Sequence, residues 1–239
     1  DSISEQYRLC KRQDWRVYVE AHTLMEIVGE ERGAVLDIAC GEGFYTRLMK
    51  QRGAERVTGI DLSHEMIDLA RRQEEMLDLG VEFVCGDACL LPATGEYDLA
   101  VAAYLLNYAH NRKELQSMCD AVAGIVKPGG RFVTVNSNPA CHFPSAPSFR
   151  KYGFDTDAIG TWKEGCPIRW TFYLDQGPFD IENYWLDAAI HEDALRRAGF
   201  QEIRWHRPQV SREGVKDKGK EYWDDLLSHS PITFLECMR

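Results

Sequence analysis

Short apolar runs alternate with amphipathic stretches through the first half of the chain. Residues 34–40 (AVLDIAC) are an apolar run that ends in Gly41-Glu42-Gly43, which reads as a buried strand running into a glycine loop. Residues 44–52 continue as a helix. Residues 56–60 (RVTGI) form a second strand, closed by Asp61. Ser63 is placed to cap the next helix, with Met66, Ile67 and Ala70 on one face. Residues 81–85 predict a third strand followed by Gly86-Asp87-Ala88, and residues 97–103 a fourth. A helix over 112–126, a turn at Lys127-Pro128-Gly129-Gly130 and a fifth strand over 131–136 complete the series. Upstream, Trp15, Val19, His22 and Glu26 recur at helical spacing with no glycine or proline before Gly29, so residues 3–30 read as helical. Strand and helix in alternation, joined by short connections, predict an α/β fold. Its sheet is mostly parallel, with helices on both faces.

After residue 136 the rhythm breaks. Residues 137–186 carry Pro139, Pro144, Pro147, Pro167 and Pro178 among many aromatic side chains, and read as an irregular cap. A helix over 191–198, stopped by Gly199, and a strand over 200–207 return to the sheet. The expected organisation is one domain over 1–239. It has an N-terminal helical segment (1–30), a ligand-binding core (34–136), the inserted cap (137–186) and closing elements of the sheet (187–239). A chain of 239 residues is long enough to bury a core without disulfides or metals.

Charge and cysteine content narrow the function classes. With 38 acidic and 28 basic side chains the net charge is -10, a surface that repels phosphate backbones and anionic lipid. The basic stretch from Arg204 to Lys220 is interrupted by Glu213, Asp217 and Glu221 and reads as a solvated mixed surface. No apolar run approaches membrane-spanning length, and the polar opening residues do not read as a signal peptide. The cysteines form no CxxC pair, and several lie in apolar runs. Buried reduced thiols in a cytoplasmic protein are therefore expected, with no metal site. A monomer or homodimer acting on a small molecule, without nucleic acid or membrane, fits these features.

In an open parallel sheet, ligands bind outside the carboxyl ends of the strands. Gly41-Glu42-Gly43, Asp61, Gly86-Asp87-Ala88 and residues 103–108 all fall there. An acidic residue ending the second strand can accept both hydroxyls of a ribose, and Asp87 can accept a hydrogen bond from an exocyclic amine, which together point to an adenosine compound. A dinucleotide site prefers G-x-G-x-x-G before a helix N-terminus, but here Thr46 stands at the third glycine position. Asp37, four residues before Gly41, would repel a pyrophosphate. The same carboxylate suits a cationic ligand such as the amino group and sulfonium of S-adenosylmethionine.

The segment VLDIACGEGFYTRLMKQRGAERVTGIDLSHEMIDLAR, followed by CGDACLLP, YDLAVAAYLLNYA and VKPGGRFV, resembles the ordered motifs of class I S-adenosylmethionine-dependent methyltransferases. The resemblance covers residues 34–136 and the closing elements, and it implies a Rossmann-like fold. It also implies roles for named residues. Asp37 and the backbone of Ala39, Gly41 and Gly43 would hold the methionine part, and Asp61 the ribose. Leu62 and Met66 would sandwich the adenine, and Asp87 and the amide of Ala88 would read its edge. Ala103 would line the methionine end, with Tyr7 over the methionine carboxylate. Ala39 departs from the family's D-x-G-x-G-x-G, at the first glycine.

Methyl transfer is an in-line displacement that needs alignment and exclusion of water more than acid–base chemistry. No catalytic dyad is legible, and His142, in the cap, is the one candidate general base. The aromatic cap suits a flat heteroaromatic acceptor, with Trp185, Tyr18, Tyr108 and Asn136 as the first expected contacts. DSISEQYRLCKRQDWRVYVEAHT, the motif around Gly41 and YWLDAAIHEDALRRAGF are similar to the methyltransferases of toxoflavin biosynthesis. That narrower resemblance implies antibiotic or other secondary-metabolite biosynthesis, with N-methylation of an azapteridine ring in two steps. S-methylation of a quinomycin-type disulfide, or O-methylation of another metabolite, remains open. The position after the fourth strand reads Ala102-Ala103-Tyr104-Leu105, without the N/D-P-P-Y/F of DNA amino-methylation.

Overall fold

The computed structural model describes residues 10–11, 13–30, 33–87, 90, 94–175 and 177–239. Tyr7 and Ala88 lie outside them. A π-helical segment, Arg16–Ala21, leads into α1 (His22–Val28). The core then runs β1 (Ala34–Ile38), α2 (Phe44–Gln51), β2 (Arg56–Asp61), α3 (His64–Leu77), β3 (Glu82–Cys85), β4 (Tyr97–Ala103), α4 (Arg112–Ile125) and β5 (Val126–Ser137). Three strands follow, β6 (Phe154–Ala158), β7 (Cys166–Leu174) and β8 (Gly177–Trp185). The chain closes with α5 (Ala188–Arg197), β9 (Gln201–His206), α6 (Arg212–Lys218), α7 (Asp224–Ser228) and β10 (Ile232–Met238).

The main sheet has the order β3-β2-β1-β4-β5-β10-β9. The first five strands of that order are parallel, and β10 pairs antiparallel with both β5 and β9. The order reverses between β1 and β4, so the crevice that such a reversal opens lies at the carboxyl ends of those strands. Alternation along the strands sets the two cores. Val35, Leu99, Val101, Val133 and Val135 face α1 and the N-terminal segment, and Leu36, Ile38, Ala100, Ala102 and Phe132 face α4 and α5.

Most predicted elements are present within a residue or two. The Ser63 cap forms, its hydroxyl accepting from the Met66 amide. Asn111 caps α4 by accepting from the amides of Lys113 and Glu114. Two expectations need correction. The turn at residues 127–130 is absorbed into β5 as a bulge: Tyr97 pairs with Val126, while Leu99 pairs with Arg131. The cap is not irregular, because β6, β7 and β8 form a three-stranded antiparallel sheet. Its prolines are compatible with strands because Pro167 and Pro178 sit near strand ends. In addition, β10 inserts between β5 and the edge strand β9, a position that no sequence pattern announced.

The aromatic side chains of the second sheet mostly pack against one another. Phe154 stacks on Phe149 and Trp170, and Tyr152 stacks on Trp223, with all of these rings buried. These rings share one hydrophobic core with the face of the main sheet that packs on α1 and the N-terminal segment.

Candidate active site

A cleft of about 680 Å³ opens at the carboxyl ends of β1, β2, β3 and β4. Its floor and one wall come from the turns after β1 and β2. Ala39, Gly41 and Gly43 all take positive φ, of 56, 57 and 83°. A Cβ at Gly41 would meet nothing within 4 Å, so the missing side chain leaves an open cradle. Asp61 fixes this loop in place. One of its oxygens accepts the Gly41 amide at 2.8 Å and the other the Ser63 amide at 2.9 Å. Behind the loop, Arg47 donates to the Glu42 carboxylate at 2.6 Å and to Gln73 at 2.9 Å, tying α2 and α3 to the turn.

Of the residues expected to hold the cofactor, Ala39, Gly41, Asp61, Leu62, Met66, Asp87 and Ala103 line the cleft. Leu62 is 69% exposed there, a large apolar side chain left uncovered at the mouth. Two expected residues stand behind it instead. Gly43 is backed by Phe83, whose Cζ would lie 2.4 Å from an added Cβ, so glycine here permits close packing. Asp37 is fully buried on β1 and does not line the cleft. Its Oδ2 accepts the Thr46 hydroxyl at 2.6 Å, and its Oδ1 has no hydrogen-bond partner among the described residues. Burial raises the Asp37 carboxyl to about 7.

The acceptor-side expectations fare less well. Tyr108 lines the cleft. Trp185 does not. Its indole donates to the Pro139 carbonyl at 3.0 Å and its ring packs on Trp162 at 4.5 Å. Tyr18 points to the opposite side of its helix, edge-on to Trp223. Asn136 is buried in the main sheet and donates to Thr134. His142 lies outside the cleft, on Ser145 and the edge of Trp162, so a general-base role for it is not supported by position. Trp185 and His142 were expected there as members of the cap, Asn136 as a residue near a strand end, and Tyr18 as an aromatic of the N-terminal segment. Trp185 and His142 instead pack on Trp162, Tyr18 packs on Trp223, and Asn136 is bonded within the main sheet.

Sequence reasoning missed the residues that complete the far wall. Tyr45 and Tyr104 line the cleft, and both hydroxyls donate to Glu20. Glu20 is fully buried on the π-helical segment, and Nη1 of Arg16 donates to both of its carboxylate oxygens, at 2.9 and 2.8 Å. Lys11 lines the same wall, 4.6 Å from the Tyr45 ring centre. Tyr104 follows β4 directly with a φ of 66°, a strained conformation for a bulky residue. The readable signal was Arg16 and Glu20 one helical turn apart on a face that also carries Trp15 and Val19.

Residues 35–130 match the family model described as a methyltransferase domain. The topology is that of the Rossmann-like methyltransferase fold. This chain carries an S-adenosylmethionine-dependent methyltransferase fold. Among solved structures, an S-adenosylmethionine-dependent methyltransferase from Mesorhizobium loti superposes with a TM-score of 0.64 at 21% identity, over 96% of this chain and all of that one. A methyltransferase of the same kind from Clostridium acetobutylicum superposes at 0.71 and 15% identity, over 99% of each chain. In sequence, the ubiquinone biosynthesis O-methyltransferase of Coxiella burnetii is 32% identical over 107 residues, which are 44% of this chain and 44% of that protein. The match thus spans less than half the length of the curated relatives. These similarities reach the S-adenosylmethionine-dependent methyltransferases in general and do not single out the toxoflavin group. Among the described residues, no helix is long and apolar enough to cross a membrane.

The residues present fit the cofactor that this fold implies. The Gly41 cradle would accept a close backbone approach, Asp61 retains lone pairs for ribose hydroxyls, and Leu62 and Met66 offer apolar surface for a purine. S-adenosylmethionine, when bound, supplies an electrophilic methyl group.

Proposed function

We propose that this protein is a small-molecule methyltransferase that uses S-adenosylmethionine and acts on a planar, conjugated acceptor. The observation that carries this reading is the two-sided cleft. One side is the glycine turn tethered by Asp61, and the other is an aromatic wall of Tyr45, Tyr104, Tyr108 and Phe44. In this reading Asp61 binds the ribose, Leu62 and Met66 enclose the adenine, and Asp87 reads its edge. Asp37 acts from beneath the loop, its buried carboxylate favouring a cationic amino group above it. Ala103 borders the reacting end, and the tyrosines flatten the space left for the acceptor. Proximity and water exclusion then do most of the catalytic work, consistent with the absence of a histidine among the cleft-lining residues.

The first acceptor to try is an azapteridine ring nitrogen, on the strength of the sequence's resemblance to the toxoflavin-type enzymes. A phenolic oxygen is the second, because a relative is named as an O-methyltransferase of ubiquinone biosynthesis. The test has two stages. Calorimetry with S-adenosylhomocysteine should show saturable binding, and its absence overturns the cofactor assignment. Mass spectrometry should then find a methyl added to a didesmethyl azapteridine or to a catechol. Methylation of a quinomycin-type disulfide peptide alone would overturn the planar acceptor while leaving the cofactor site intact.

A further inference from the structure

The far wall of the cleft holds an imbalance of charge. Lys11 and Arg16 are both largely buried, and the carboxylate between them is Glu20. Both Glu20 oxygens are already engaged by Arg16 and by the hydroxyls of Tyr45 and Tyr104, and the Lys11 ammonium stands off at 3.9 Å. Among the described residues, two cations and one carboxylate leave a positive charge in excess. The other described groups facing Lys11 do not cancel it. Glu42 is paired with Arg47 at 2.6 Å, Cys10 is a buried thiol whose ionisation burial suppresses, and Asp37 is itself held partly protonated by burial. Burial and the neighbouring Arg16 pull the Lys11 ammonium below the ordinary lysine range, as expected for a cation short of counter-charge. An incompletely paired ammonium in such a place is costly unless an anion completes it.

The surplus faces the acceptor side. Lys11 lies over the rings of Tyr45 and Tyr104, and Arg16 lines a small adjoining cavity with Tyr104, Tyr108 and Trp170, under the second sheet. The rings suit a flat ligand packed against them, and the ammonium beside them suits one that carries negative charge.

We propose that Lys11, backed by Arg16, forms an anion subsite in which the acceptor binds ionised, as the conjugate base of an acidic ring N–H or phenol. The inference rests on the reading of the cleft as a methyltransferase site. The acceptor gives its proton to solvent on binding. Its lone pair then forms the new bond to the methyl carbon as the carbon–sulfur bond breaks, and that bonding pair stays on sulfur, which changes from sulfonium to neutral thioether. No general base is needed, because the positive wall supplies the ionisation that a base would otherwise perform.

The probe is 4-nitrophenol, whose ionisation falls near neutral pH and is read by its visible absorbance, with 4-nitroanisole as the neutral control. S-adenosylhomocysteine affinity is measured first on the full chain, which tests the underlying reading by itself. On the loaded protein, 4-nitrophenol should bind at least tenfold tighter than 4-nitroanisole, and its bound form should ionise at a pH about one unit lower, a tenfold change in ratio. Lys11→Met should abolish both effects with S-adenosylhomocysteine affinity unchanged, and Lys11→Gln serves if the methionine variant does not fold. If 4-nitrophenol fails to bind, or titrates as it does free in solution, the subsite is overturned. If Lys11→Met weakens S-adenosylhomocysteine tenfold or more, the ammonium belongs to the cofactor's own carboxylate, and the acceptor assignment falls. A protein that ignores S-adenosylhomocysteine yet still lowers the ionisation of 4-nitrophenol keeps the anion subsite and loses the cofactor reading.

Discussion

The Thr46 hydroxyl donates a 2.6 Å hydrogen bond to one oxygen of Asp37, while the other oxygen of that buried carboxyl has no partner among the described residues. A carboxyl half-satisfied in this way is stable when protonated and costly when charged.

The consequence is a dependence on pH with opposite signs for folding and for ligand binding. Burial raises Asp37 from 3.8 to about 7. The folded chain therefore binds this proton more tightly than the unfolded chain, and the contribution to stability present at acidic pH is lost as pH rises towards 7. Asp37→Asn should remove that slope and leave the ligand-free protein more stable at pH 8, by on the order of 1–3 kcal/mol. Affinity for S-adenosylhomocysteine should move the other way. In the parent protein it should rise as Asp37 ionises, and in the asparagine variant it should be weaker and flat with pH. Urea titrations and calorimetry between pH 5.5 and 8.5, spanning about one and a half units on either side of the Asp37 transition, read both. A flat parent profile would remove Asp37 from the ligand's neighbourhood.

Asp61→Ala should deprive the Gly41 and Ser63 amides of their acceptor. The loop after β1 would loosen, and S-adenosylhomocysteine binding should weaken well over tenfold, with roughly 1–3 kcal/mol lost from folding stability. An affinity equal to the parent's would show that the ribose sits elsewhere.

Gly43 and Gly53 make a controlled pair. Both have positive φ, but only at Gly43 would a Cβ collide with Phe83, since nothing lies within 4 Å at Gly53. Gly53→Ala should cost about 1 kcal/mol from backbone strain alone, and Gly43→Ala a further 1–3 kcal/mol from overpacking. Denaturant midpoints for the two variants measure the difference directly, and equal losses would mean that Phe83 moves aside freely.

His142→Ala and Tyr18→Phe should leave S-adenosylhomocysteine affinity and methyl transfer within about twofold of the parent, because neither side chain lines the cleft. Tyr108→Phe should alter KM for the acceptor. A tenfold loss of turnover in His142→Ala would require the second sheet to move over the cleft during the reaction.

The half of the chain with regular alternation was legible in detail because β1, β2 and β4 are largely buried on both faces and α3 and α4 begin with side-chain caps at Ser63 and Asn111. The cofactor side followed from the same regularity, since strand ends in a parallel sheet project ligand-binding groups to one edge. Legibility failed where tertiary partners decide. Phe154, Trp170 and Phe172 alternate inward along β6 and β7, but the prolines nearby obscured the period. Trp185 looked like a substrate wall only while Trp162 and the Pro139 carbonyl were unknown neighbours. Glu20 carried no local sign that two tyrosines, 25 and 84 residues away in sequence, would converge on it. The depth of Asp37 was not readable, because burial depends on what Thr46 and α2 place around it.

The placement of β10 between β5 and β9 bears on how the chain reaches this arrangement. Its pairing with β5 joins segments roughly a hundred residues apart, the kind of distant closure that slows folding. Until it is made, β5 presents an open edge with Phe132, Val133 and Val135 along it, and β9 has no strand to pair with. The five parallel strands can assemble first from local βαβ units, leaving a partly built sheet whose exposed margin invites association with other chains. Insertion of β10 seals that margin, so a closure between segments distant in sequence is also the one that covers the edge most open to association.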